Sequence, residues 1–562
     1  MNLPFDLHFL DVVVLVVYLL GTTWLGHHFA GKQSTLRDFF LAGRTVPWPA
    51  VSASIVATEL SGVTFIGVPA LVFAAEGNLT YLQWAIGSMM GRILVAWFFV
   101  PRFYEQEIYS PYDYMARRLG KPVKLLATIL FFLGAVLGQS VRVLVASIPL
   151  RVVTGLPIEV CIIVIGVFAI IWTLLGGMRT VIWTDVIQFF VFAFGAVLAL
   201  IWIAASLEGG WLQIWTTAER FDRTVLWDNR LQSHLEFTLW VALIAVPIQN
   251  LSVFGVDQMN VQRVFCCRGV CEARLALVFS CFGQTITVLM LCVGLALFAY
   301  YHHHPLGDQQ AAVLVALSDE EKQAGITALQ KVESLPKISS SDGSEVSQVP
   351  VLPNRDYIFP MWIVQVLPPG FSGLLLAAIF AAAISSLDSV LGALSQSTLS
   401  LLYHPENRTV EELQKLGLIA KARWLVLLWG VLLVLFTLAL NIIREDIPIL
   451  PLAFGMTSYA VGPLLGIMLC ALAGRANWRG LLCGTIVSVL LVLFLRTDVW
   501  TLAQAAGFDV SWLSFLPWYS WQENKLISLV SYVWFWPITT LLTFASGCIS
   551  WQILQKRTEK NE

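Results

Sequence analysis

Charge is what this sequence has least of. Only 12% of its 562 residues are Asp, Glu, Lys or Arg, against about 25% in a soluble globular protein, so most of its surface is not built to face water. It also lacks a charge imbalance: 34 Lys and Arg stand against 36 Asp and Glu, which gives no electrostatic footing for nucleic acid. Nine cysteines show no paired metal-ligand spacing, and Cys266, Cys267 and Cys271 have no partner ligands nearby, so all nine read as free thiols. The eight histidines lie near the ends of apolar runs or in loops. That leaves no nucleophile with a base beside it and argues against an enzyme. His302, His303 and His304 read as a solvated helix end rather than a metal site. A nucleotide-driven pump would need a phosphate loop. Gly26 to Gln33 has the spacing, but Gln33 stands where a Ser or Thr would hold magnesium, and the run ends an apolar helix.

What the sequence has in abundance is apolar length. It is 57% hydrophobic with a mean hydropathy of +0.76, and its 22 Trp fit side chains anchored at a membrane interface. Counting runs of about 20 apolar residues gives thirteen candidate spans. They lie near 7–27, 47–75, 79–101, 125–153, 158–176, 180–206, 236–257, 273–301, 370–402, 422–443, 447–473, 478–496 and 526–551. The first is expected to be an uncleaved span, since Met1 to Leu10 has no basic region and carries Asp6. With the N-terminus outside, 21 of the 34 Lys and Arg fall on the cytoplasmic side, 7 in short outer segments, 4 in the long outer loop and 2, Arg92 and Arg142, in the membrane. That distribution predicts an outer N-terminus and a cytoplasmic C-terminus.

The organisation predicted from these runs is an N-terminal helix and loop over 1–46, a five-helix unit over 47–206, an outer loop over 207–235, a second five-helix unit over 236–473, and two further helices with a short tail over 474–562. A polar insertion at 302–357 reads as outside the membrane, with a short helix over Asp319 to Val332 and a flexible stretch over Ser339 to Ser347. Two spans carry helix-breaking residues at mid-length: Ala57 to Gly62, followed by Gly67 and Pro69, and Pro247, Asn250, Ser252 and Gly255. Interrupted helices in lipid are tolerated around a cavity, and a pair in corresponding positions points to a transport site. The ninth span holds Ala382, Ser385, Ser386, Asp388 and Ser389, which helical neighbours three and four apart bring onto one oxygen-rich face. Oxygen ligands suit a hard cation such as sodium. Packing explains the serines but not Asp388, because an acid within a membrane helix costs about 2.5 to 3.5 kcal/mol and needs a partner. Asp185, at the start of the sixth span, is either an interfacial acid near Arg179 or a ligand for the cation that Asp388 sees.

Three motifs in order carry a resemblance: Gly176 to Gln188 (GGMRTVIWTDVIQ), Asp257 to Arg263 (DQMNVQR) and Ser385 to Ser389 (SSLDS). In these the chain resembles the sodium/solute symporter family over about 10–495. The resemblance implies an all-α polytopic membrane protein of the LeuT type, with a five-plus-five inverted-repeat core, one helix before it and two after. It implies a sodium site from Ala57 and Leu60 on the broken helix and Ala382, Ser385 and Ser386 on the ninth span. It further implies a second cation site from Asp185 with Ser385, Asp388 and Ser389. Asp388 stands where other members place a hydroxyl, so the second cation is either sodium or a proton. The solute pocket is expected beside Glu59, Ser61, Thr64, Gln83, Gln139 and Arg142.

The expected function is uptake of a small polar organic solute with sodium by alternating access. Sodium is a coupling ion rather than a tightly held cofactor, the lipid bilayer the setting, and the monomer the working unit. Arg142 suits an anionic, carboxylate-type group through paired hydrogen bonds, or pairs with Glu59. A sugar carrier is the alternative, weakened because Glu59 and Thr64 stand where sugar carriers of the family place Asn and Gln. From other classes, a solute-gated channel differs in being unable to concentrate solute, and a transporter-like sensor is expected to need more than the dozen or so residues after Trp551.

Overall fold

The computed structural model describes residues 8–29, 36–105, 108–175, 177–307, 336–340, 346–352, 355–403, 417–443, 449–505, 507–522 and 525–561. The chain is a bundle of long apolar helices. In order they are α1 (Phe9–Phe29), α2 (Trp48–Glu59), α3 (Val63–Phe73), α4 (Thr80–Tyr104), α5 (Lys121–Thr154), α6 (Ile158–Leu175) and α7 (Met178–Ala205). After a shorter helix α8 (Gly210–Arg220) come α9 (Val241–Gly255), α10 (Gln258–Val264), α11 (Val270–His303), α12 (Phe371–Tyr403), α13 (Leu418–Ile443), α14 (Ile449–Ala473), α15 (Trp478–Leu495) and α16 (Phe535–Asn561). Two small antiparallel hairpins, β1 (Lys337–Ser339) with β2 (Val346–Pro350) and β3 (Tyr519–Gln522) with β4 (Lys525–Ser528), decorate the connections.

Among the described residues, ten helices are long and apolar enough to cross a membrane, and counting each bent pair as one span makes twelve. The remaining expected span falls on α6, which is apolar but short of a crossing length, so the count of thirteen is not met on length and composition. The expected helix at Asp319 to Val332 lies outside the described residues. The stretch Ser339 to Ser347 overlaps the paired strands β1 and β2, with 341–345 also outside them.

Three prolines shape the spans. The helix widens to a π-type turn at Val63–Gly67, Val95–Phe99 and Val241–Ala245, and each time a proline follows two residues later, at Pro69, Pro101 and Pro247. Proline has no N–H to donate and its ring collides with the carbonyl four residues back; a wider turn relieves both. True breaks lie elsewhere. α2 meets α3 at 57° and α9 meets α10 at 62°. At the first break Leu60 is extended, with φ −74° and ψ 102°. At the second Asp257 is extended and accepts the Met259 N–H through its carboxylate at 2.8 Å. Both interruptions expected from the sequence are therefore present. The seventh span does not end at 257, however, but turns and continues as α10.

Around these breaks the packing is close. α12 is buried along nearly its whole length, whereas α1 is mostly exposed at the rim; the run of Ala and Ser on α12 lets α5 and α7 approach it from either side. α4 and α9 touch through glycine: a Cβ at Gly87 would sit 2.8 Å from the Val246 Cβ, and one at Gly91 2.5 Å from the Asn250 Cβ. Gly87→Val should therefore push α4 off α9 and destabilise the protein by about 1–3 kcal/mol, the usual cost of overpacking. A thermal unfolding midpoint in detergent equal to the parent's would show that this approach is not needed. On the expected outer side, Arg223 is fully buried over the Phe298 ring at 3.6 Å. It donates to the carbonyls of Val72, Ala74 (2.8 Å) and Gly77 (3.3 Å), which caps the end of α3. Burial pulls its guanidinium down to about 9.

Candidate functional site

Breaking a helix after Glu59 releases the carbonyls of its last turn from helical partners. Those of α2 face α5 and α12. The Thr58 carbonyl accepts Arg142 Nη1 at 3.1 Å and the Ser386 hydroxyl at 3.3 Å, and the same hydroxyl lies 3.2 Å from the Ala382 carbonyl. Ala57, Leu60, Ala382, Ser385 and Ser386 are all buried, at 0–3% exposure. The fold thus brings the break of α2 against the serine face of α12, the juxtaposition that the family resemblance implies.

One turn deeper lies an ionic cluster. Asp185 on α7 is fully buried and accepts the hydroxyls of Ser54 and Ser385, each at 2.5 Å, and Arg263 Nη2 at 3.0 Å. Arg263 also donates through Nε to Ser54 at 2.8 Å, through Nη1 to the Met259 carbonyl at 2.8 Å, and to the Ser389 hydroxyl. Asp388 Oδ1 accepts from Ser389 at 3.1 Å, while its Oδ2 is buried without a partner among the described residues. The interfacial reading of Asp185 beside Arg179 is thereby replaced. Arg263, counted on the cytoplasmic side in the charge tally, is instead buried, because α10 carries the chain back into the core after the bend. It was present in the Asp257 to Arg263 motif but was given no role; a cation following a broken span was the signal. Ser54, one helical turn before Thr58, carried no such signal.

Beside the break a cavity of about 180 Å³ is lined by α2, α3, α4, α5, α9, α10, α11, α12 and α14. Glu59, Ser61, Thr64, Gln139 and Arg142 line it. Gln83 does not: its amide donates to the Phe237 carbonyl in the connection before α9 at 3.0 Å and to the Thr80 carbonyl of its own helix at 3.3 Å. Glu59 pairs with Arg92 rather than with Arg142. Arg92 had been noted only as a cation within the membrane, and it is wholly buried, with Nη1 on the Ser280 carbonyl at 2.7 Å and its guanidinium 4.4 Å from the Phe254 ring centre. Asp257, Asn250 and Asn260 also line the cavity; none was singled out as a pocket residue. Met259, also in the lining, meets Gln139 Nε2 through its sulfur at 3.8 Å. Among the described residues no cluster of His, Cys, Asp and Glu of the kind that holds a metal is found.

The comparisons with known proteins concern the family and the fold. The sodium/sialic acid symporter SiaT of Proteus mirabilis is 28% identical over 496 residues, covering 87% of this chain and 90% of its own. The sodium/sialic acid symporter NanT of Aliivibrio fischeri is 27% identical over 493 residues, covering 87% and 88%. A solved substrate-bound, outward-open structure of a Na+-coupled sialic acid symporter superposes with a TM-score of 0.73 at 26% identity and covers 98% of each chain. The family model for the sodium:solute symporter family spans residues 39–334 and 346–488. With broken helices meeting a serine face and a model that covers most of its length, this multi-pass membrane protein belongs to the sodium:solute symporter family and is a sodium-coupled solute transporter, not an enzyme.

Proposed function

We propose that the chain takes up a small carboxylate-bearing solute with sodium, by alternating access around the cavity at the α2–α3 break. The observation that carries this reading is Arg142. Its guanidinium lines the cavity, spends one donor on the Thr58 carbonyl, and makes no ion pair at salt-bridge distance among the described residues, the charges of Asp257 and Glu59 reaching it only from farther off. The acid closest in sequence to that carbonyl, Glu59, is committed to Arg92. A cation left with unused planar donors in a membrane cavity favours a carboxylate, which it can grip with two parallel hydrogen bonds. Sialic acid, named for the Proteus and Aliivibrio relatives, belongs to that class; a neutral sugar offers the guanidinium hydroxyl acceptors but no charge.

In the same reading the coupling sodium is held by carbonyls of Ala57, Leu60 and Ala382 and hydroxyls of Ser385 and Ser386. A second cation lies near Asp185, Asp388 and Ser389. The units 47–206 and 236–473 form the two repeats, the N-terminus lies outside and the C-terminus inside, and a monomer in the bilayer suffices. Replacing both Ser385 and Ser386 with Ala should raise the sodium concentration for half-maximal uptake about tenfold, the worth of one lost hydrogen-bonding ligand or so. Unchanged sodium dependence would sink the assignment. For the solute class, proteoliposomes loaded at equal volume are assayed with N-acetylneuraminate, other monocarboxylates and neutral hexoses, with the sodium gradient imposed or collapsed. Sodium-driven accumulation of carboxylates above their outside concentration supports the proposal, and accumulation of neutral hexoses alone overturns it.

A further inference from the structure

Glu59 is, with Asp257, one of two carboxylates in the cavity lining among the described residues, and its surroundings are asymmetric. Arg92 is fully buried and its charge is met on several sides by protein: Ser280 at 2.7 and 3.0 Å, Ser88 at 3.1 Å, the face of Phe254, and Glu59 Oε2. Glu59 is not enclosed in the same way. Its side chain keeps 27% exposure and lines the cavity, and its Oε1 has no hydrogen-bond partner among the described residues. An acid needed only to neutralise a buried arginine gains nothing from facing open space. Its place also carries a cost, since Glu59 ends α2, where the helix dipole disfavours negative charge.

Arg142 and Glu59 are coupled through one peptide unit. Arg142 is anchored on the carbonyl of Thr58, and Glu59 is the next residue. One wall of a cavity of about 180 Å³ therefore presents a donor-only guanidinium beside a carboxylate that, ion-paired to Arg92, only accepts. We propose that Glu59 determines specificity, and that the solute carries, on the same small skeleton as its carboxylate, a hydroxyl or ammonium donor received by Glu59 Oε1. The inference rests on the reading of Arg142 as the partner of the solute carboxylate. Glu59 then acts by differential affinity: it rewards a donor and, when none is offered, is left desolvated and unpaired.

The test is binding to the full chain in detergent with sodium present, read by intrinsic tryptophan fluorescence, since Trp84 lines the cavity. The probes are propanoate, 2-hydroxypropanoate and 2-aminopropanoate, and the corresponding pentanoate series. The parent protein should bind donor-bearing acids about tenfold or more tightly than the plain acids, the scale of one hydrogen bond to a charged group. The hydroxy and amino arms tell which donor is used. In Glu59→Gln the preference should shrink to about threefold or less. Glu59→Asp, which keeps an acid for Arg92 but withdraws it by one methylene, should shrink it too, and carries the test if the Gln variant does not fold. Sodium-dependent thermal stabilisation reports folding of either. Carboxylate binding with no donor preference in the parent, or a preference untouched by both variants, overturns the role of Glu59 and leaves that of Arg142. Equal binding of donor-bearing acids and their amides overturns the role of Arg142 instead, and no binding in either series overturns both.

Discussion

Arg263→Met is expected to destabilise the protein by about 3–5 kcal/mol, the cost of removing one partner from a buried ion pair. The reason lies in the number of charges left behind. Arg263 is the guanidinium bonded to Asp185, Ser54 and Ser389, and Asp388 sits one residue from Ser389. Without it, two buried carboxylates face each other across α7 and α12 with only hydroxyls for company. Lowering the number of charges should relieve that strain, so Asp388→Ser combined with Arg263→Met should recover part of the loss. By itself Asp388→Ser should leave transport active while changing the charge moved per solute, if Asp388 takes part in the second cation site. The checks are thermal unfolding of purified protein for the single and double variants, and charge-to-solute ratios in proteoliposomes. An Arg263→Met midpoint equal to the parent's would show that the cluster is not held by that ion pair. An unchanged ratio with no pH dependence in either the parent or Asp388→Ser would remove Asp388 from the coupling.

Arg142→Lys is expected to weaken carboxylate uptake by about 10- to 100-fold in KM, because lysine keeps the charge but loses the planar fork, and a hydrogen bond to a charged group is worth about 1.5–3 kcal/mol. The shorter reach of the ammonium also gives up the bond to the Thr58 carbonyl that fixes the side chain over the cavity. The effect should fall on KM for carboxylates and spare the sodium dependence, since the Ser385 and Ser386 hydroxyls are untouched. Uptake measured over a range of solute and of sodium concentrations separates the two. A solute that proves neutral and binds normally to the Lys variant would make Arg142 a structural residue tied to α2.

Element by element, what could be read in advance follows the physics of each signal. The spans were legible because lipid demands about 20 apolar residues at a stretch, and the runs at 125–153, 370–402 and 447–473 coincide with α5, α12 and α14. Both breaks were legible because glycine, proline and hydrogen-bonding side chains cluster there. The end of the seventh span was not, because α10 is short and polar; its Asn260, Gln262 and Arg263 look like a loop until the tertiary structure buries them.

Pairings behaved differently. That Ser385, Ser386, Asp388 and Ser389 share a face follows from helical geometry alone, and the sequence by itself determined that. It also determined that Asp185, Asp388, Arg92 and Arg142 would each need an answer in a medium that does not solvate charge. Which group answers which was decided only by the fold. Residues 59 and 142 were a plausible pair by type, yet α4 brings Arg92 to Glu59 and the bend after α9 brings Arg263 to Asp185. The reason is that an ion pair is formed by distance in space, and the crossing of two helices is set by packing such as that at Gly87 and Gly91, which no local pattern of charges encodes.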